Sequence, residues 1–289
     1  MLRFFGQGSM VLIGTTAIGR FFNKNRGKAL SISSIGLALA ETSLPGLMIL
    51  LIHLSDWRMT WLALGISSLI LFIPISRFLA GDMGTENVSD STSSKQANNF
   101  SRSLLLKGHK FYLLVIAFMF LPFFITGMFI HQSLLAKAQN WSLEWMAWSF
   151  TAYGIAKVIT SFIGGSLIDR FSAKSVFIFF LTPLAVGLIL MAISDHRIIA
   201  FIYMTLLGIT ASLGSLTGTA VWAELYGVKN LGTIKSMTTT FLVLATAAGP
   251  IAIGWSLESN FLVTLISSVM IIILITISNF FILNKTIHQ

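Results

Sequence analysis

Nine stretches of about 20 apolar residues follow one another along this chain, and that repetition leaves few folds open. They run over residues 4–21, 29–53, 59–80, 111–132, 143–168, 175–194, 198–223, 236–257 and 261–283. About 20 such residues carry an α-helix across the hydrocarbon core. In lipid every backbone N–H and C=O needs an internal partner, which a helix supplies by itself. Strands of a membrane barrel would be about half as long and would alternate in polarity. The expected fold is an all-α polytopic membrane bundle of about nine transmembrane helices. Composition agrees: 55% of the residues are hydrophobic and only 10% charged, too few to cover a water-facing surface.

The net charge of +9 is not a nucleic-acid footprint, because the basic residues sit in short loops between apolar runs. One set of loops holds 14 Lys and Arg residues, from Arg20 through Lys285, and the other set holds 4: Arg3, Arg58, Lys137 and Arg197. The positive-inside rule then puts the C-terminus in the cytoplasm and the N-terminus outside, in a plasma (inner) membrane. Residues 81–110 differ from the rest. They contain the polar run GDMGTENVSDSTSSKQANNFSRS and read as a cytoplasmic linker. The expected organisation is a three-helix unit over 1–80, the linker over 81–110, and a six-helix bundle over 111–289. Asn-x-Ser matches at Asn87, Asn99 and Asn140 are short enough to arise by chance.

Charge inside the spans is the next signal. Between Glu144 and Asp169 the only charged residue is Lys157, about 12 residues from either end of its span. A cation there costs about 2.5–3.5 kcal/mol on insertion scales and faces a cavity or a partner. Helical spacing puts Tyr153, Thr160 and Gly164 on its face, all polar or small. Lys157 is thus a candidate charge for an anionic solute, set against a snorkelling lysine or one paired with an acid. Glu41 sits in the middle of the span 29–53, one turn before Pro45, as a proton-coupling site, the partner of a cation, or a packing group beside a kink. His131 and Gln132 close the span 111–132 and join Lys157, Tyr153 and Thr160 as candidates for the solute pathway, with interfacial anchoring the alternative for His131. His53 reads as interfacial. Thr205, Gly208, Ser212, Ser215 and Thr219 form a stripe of small residues whose default role is helix packing. Gly249 and Pro250 mark a kink in the span 236–257.

Three segments together resemble the major facilitator superfamily of secondary transporters. GGSLIDRFSAKS, residues 164–175, is similar to its loop of the Gly-x-Leu-x-Asp-Arg type. GRFFNKNRGKALSISSIGLALAETSLPG followed by Trp57 and Arg58 resembles its fourth-to-fifth helix region, and WAELYGVKNLGTIKSMTTTFLVLATAAGP its tenth-to-eleventh. The likeness is nearest to the branch that carries monocarboxylates and organic anions. Family members have twelve helices in two halves with both termini inside, so the resemblance implies that the nine spans correspond to helices four to twelve and that about three are missing. It also implies a cytoplasmic gate at Asp169, Arg170, Lys174, Glu224 and Arg26, built from helix-capping acids and ion pairs.

Other chemistries lack their residues. Cysteine is absent, and there is no Gly-x-x-x-x-Gly-Lys-Ser/Thr phosphate loop, no His-Glu-x-x-His, and no Gly-x-Ser-x-Gly elbow. The chain is not expected to be an enzyme, and neither metal nor cofactor is expected. Its expected partners are the lipid bilayer, a small-molecule solute and a proton or other coupling ion, with no nucleic acid and a monomeric state if the chain is complete. The resulting expectation is secondary active transport of an organic anion by alternating access, in symport with protons. The alternatives are efflux of small hydrophobic compounds by the same fold, or a non-transporting sensor or inactive fragment.

Overall fold

The computed structural model describes residues 26–81, 109–226 and 231–284. The expected span 4–21 and most of the linker over 81–110 lie outside these residues. Among the described residues every regular element is a helix. In chain order they are α1 (Arg26–Leu54), α2 (Trp57–Gly81), α3 (His109–Ile130), α4 (Gln132–Ala138) and α5 (Leu143–Phe171). There follow α6 (Ala173–Phe179), α7 (Thr182–Ile193), α8 (Ile198–Tyr226), α9 (Leu231–Ser259) and α10 (Phe261–Asn284). Seven segments among them are long and apolar enough to cross a membrane, with α6 and α7 counting as one span, Ala173–Ile193.

Two expected spans depart from simple helices, each for a local reason. The span 111–132 stops at Ile130, and the chain turns at His131 before the short α4. The span 175–194 is interrupted at Phe180 and Leu181, ahead of Pro183. Proline has no N–H to give the carbonyl one turn back. The Thr182 hydroxyl replaces that donor, bonding the Phe179 carbonyl at 2.7 Å. Both interrupting residues keep right-handed helical dihedrals, so the segment still crosses as one rod. α1 runs through position 45 as continuous helix.

Two seams organise the bundle. The most extensive packing joins α5 to α8, and the next α3 to α9. Where hydrocarbon surrounds a protein, apolar burial drives helices together weakly, and small residues that let backbones approach take over. Gly208 shows this on the α5–α8 seam. A Cβ at Gly208 would run into the Tyr153 carbonyl and lie 3.2 Å from the Ala156 Cβ. One turn further, the Ser161 and Ser212 hydroxyls meet at 2.9 Å. The predicted small stripe on α8 is thus a packing face at Gly208 and Ser212. On the α3–α9 seam Gly249 lies directly against the Phe123 carbonyl.

Aromatic rings fill the end of the bundle formed by α3, α6 and α8. Phe118 stacks on Phe177 at 4.7 Å and on Trp222 at 5.3 Å between ring centroids. Outward faces carry large apolar side chains such as Ile251 and Trp255, 77% and 76% exposed, as a lipid-facing surface requires. α1 packs on α5 and also touches α2. That contact brings the first described unit onto the rest of the molecule, and the candidate site lies there.

Candidate functional site

The site begins with the register of α5. Ser142 caps this helix, accepting a hydrogen bond from the Trp145 N–H at 3.1 Å. From that start Tyr153 and Lys157 fall one turn apart on one face, as their spacing predicts. The Tyr153 ring is 2% exposed and wedged by its neighbours. Phe129 meets it edge-on at 5.5 Å and Phe150 lies at 6.3 Å. The Lys157 ammonium lies 5.5 Å from the centre of the Tyr153 ring, within cation–π range.

The lysine has a partner that its own sequence neighbourhood does not supply. Its Nζ forms a salt bridge with Glu41 Oε2, donated across the α1–α5 contact. The buried Tyr153 phenol lies within electrostatic reach of the same Glu41 side chain. One carboxylate therefore receives the ammonium with the phenol close by, and it lies 116 residues away in sequence. The Lys157 side chain is 15% exposed and that of Glu41 32%, so the carboxylate is the more accessible partner. Removing either member would strand a charge in a poorly hydrated place, which is far costlier than losing a surface pair.

Ser161 stiffens the next turn. Its hydroxyl donates to the Lys157 carbonyl at 2.8 Å, so its contact with Ser212 must be donated by Ser212. Thr160 is half-buried one turn beyond Lys157.

The other predicted residues lie elsewhere. His131 joins α3 to α4 and hydrogen-bonds the Pro250 carbonyl through Nε2 at 2.8 Å. That bond ties together two candidates that the sequence singled out for different reasons. Gln132 opens α4 and is half-buried. Glu224 Oε1 accepts the Ala173 N–H at 2.8 Å, capping the start of α6 from the end of α8. Ser172, just before it, has φ 71° and ψ 151°, a backbone region that glycine normally fills. Arg170 is exposed, with its guanidinium 5.5 Å from the centre of the Phe171 ring, and Lys174 is half-buried on α6. The side chains of Asp169, Arg26 and Pro45 lie outside the described residues.

Sequence reading missed three features. The Ser161–Ser212 bridge was legible only as a serine one turn after Lys157 and a small stripe on another helix. The strained Ser172 had no signal. The cavity of about 350 Å³ between α4, α7 and the start of α10 also went unforeseen; it is lined by Gln139, Met191 and Phe261 and contains none of the candidate residues. Among the described residues no cluster of three His, Asp or Glu side chains could hold a metal ion.

Comparison with known proteins adds one finding. A family model described as Major Facilitator Superfamily matches residues 1–147 and 112–286, which together reach along almost the whole chain. No curated protein matches the chain.

Proposed function

Because the chain belongs to the major facilitator superfamily and is an integral, multi-pass membrane protein of that transporter family, we propose that the Glu41–Lys157 pair couples a proton to a small organic monoanion. The observation that carries this reading is the pair itself: an acid and a base on two different helices, joined in one ion pair.

Charge balance explains how such a pair couples two solutes. In the closed pair the site is neutral. A proton taken up by the Glu41 carboxylate leaves the Lys157 ammonium without its counter-charge. The carboxylate of an incoming anion then takes the place of Glu41 on Nζ, and the Tyr153 hydroxyl is free to donate to it. The loaded site, holding neutral Glu41, the ammonium and the anion, is neutral again. A proton without an anion leaves a net positive site, and an anion without a proton a net negative one. An uncompensated charge at mid-membrane costs about 2.5–3.5 kcal/mol, on the order of a hundredfold in rate against uncoupled movement. Rocking of α1 and α2 against the remaining helices would expose the pair to either side in turn. Thr160 and Gln132 are proposed to line the path, and Asp169, Arg170, Lys174, Glu224 and Arg26 to close it on the cytoplasmic side. The linker over 81–110 would join the two moving units. The proposed setting is the plasma (inner) membrane with the C-terminus in the cytoplasm.

Uptake of radiolabelled benzoate or lactate into proteoliposomes under an inward proton gradient tests the reading. Lys157→Ala is expected to lower uptake at least tenfold while inserting normally, since it removes the group that holds the anion. Wild-type uptake by Lys157→Ala would overturn the proposal.

A further inference from the structure

His131 has a role that neither the family nor the proposed transport site supplies. Its backbone is part of two helices at once. The His131 N–H closes the last turn of α3 on the Gly127 carbonyl, and its carbonyl receives the Leu135 N–H at the start of α4. The side chain is therefore presented from a fixed pivot. It reaches α9 and donates Nε2–H to the Pro250 carbonyl at 2.8 Å. A carbonyl only accepts, so Nε2 carries the proton here, and the neutral tautomer and the imidazolium both make the bond.

The receiving helix is built for this contact. Pro250 lacks the N–H that would bond the Thr246 carbonyl one turn back, which makes this turn of α9 the one least held by its own backbone. Glycine at 254 makes room for the ring. A Cβ there would lie 2.5 Å from His131 Nε2 and 2.7 Å from Cε1, closer than side chains tolerate. Gly127 on α3 likewise sits against Ile253 and the Gly249 carbonyl. Pivot, donor, proline and space thus converge on one residue pair.

We propose that His131 is a positioning residue that latches the end of α9 to the end of α3, holding α9 at Gly249–Pro250 until that bond breaks. When the bond opens, the segment of α9 beyond Pro250 swings as a lever. The inference does not depend on Lys157, on Glu41 or on what is carried.

The chain contains no cysteine, so spin labels can be placed in it without removing any residue. Glu258→Cys on α9 with Ile193→Cys on α7 reads the swing of the α9 end by pulsed electron resonance in nanodiscs. Ile193→Cys with Phe162→Cys on α5 serves as a reference pair. The unsubstituted latch is expected to give one narrow distance for the α9 pair. His131→Ala and, independently, Gly254→Ala are expected to broaden that distribution at least twofold. His131→Gln, which can place an amide N–H where Nε2 stands, is expected to restore the narrow distance. The reference pair should stay narrow throughout. An unchanged α9 distribution in both alanine variants, equal broadening of the reference pair, or failure of His131→Gln to restore the narrow distance would each overturn the latch.

Discussion

Lys157 could be read as out of place from sequence alone, yet what neutralises it could not. Its span offers no acid, and Glu41 lies 116 residues earlier. Only the folded contact of α1 with α5 joins them. Tyr153 was legible, because the period of one helix fixes it beside Lys157. His131 was legible as a titratable side chain at a span end but not as a donor to a backbone carbonyl. The pair makes a sharp prediction. Lys157→Ala alone strands Glu41 and should destabilise the protein by roughly 2–3 kcal/mol. Lys157→Met combined with Glu41→Leu removes both charges and should recover most of that stability without recovering uptake. Thermal unfolding in detergent beside proteoliposome flux separates the two. Asn279 is a second test at this scale. It is 1% exposed, and neither its Nδ2 nor its Oδ1 has a hydrogen-bond partner among the described residues. Asn279→Leu should raise stability by about 1–3 kcal/mol, read as a higher melting temperature.

Helices were the most legible level, since hydropathy and length set them directly, and eight of the nine expected spans lie on described helices. Their interruptions were less so. Pro183 was visible, but whether it breaks or merely marks a helix depends on Thr182 supplying the lost donor. Which helices pair was barely legible, because small stripes announce close approach without naming the partner. The α5–α8 seam can be tested with matched glycines. At Gly208 a Cβ meets the Tyr153 carbonyl, whereas at Gly165 nothing lies within 4 Å. Gly208→Ala should therefore cost about 1–3 kcal/mol and lower uptake by displacing Tyr153. Gly165→Ala should be neutral or stabilise by up to about 1 kcal/mol, because alanine favours helix more than glycine does. Parallel melting curves of the two variants read the difference in sign.

Across the whole molecule, the family was legible from three loop and helix segments taken together, and the family match covers the same chain. The site was only half legible, because its acid and its base lie on opposite sides of the linker. The charge argument makes the transport cycle electroneutral, with one proton moving for each monoanion. Flux under a fixed pH gradient should then be the same at zero potential and at a potassium diffusion potential set with valinomycin.

Proton entry into proteoliposomes filled with a pH-sensitive dye, followed on adding benzoate, lactate or pyruvate outside, tests the coupling itself. Wild-type vesicles should acidify with each anion that is carried. Glu41→Gln vesicles should exchange labelled anion across the membrane without acidifying, because the amide leaves Lys157 free but binds no proton. A wild type that carries no proton with the anion, or a Glu41→Gln protein that carries protons at the wild-type rate, would contradict the account.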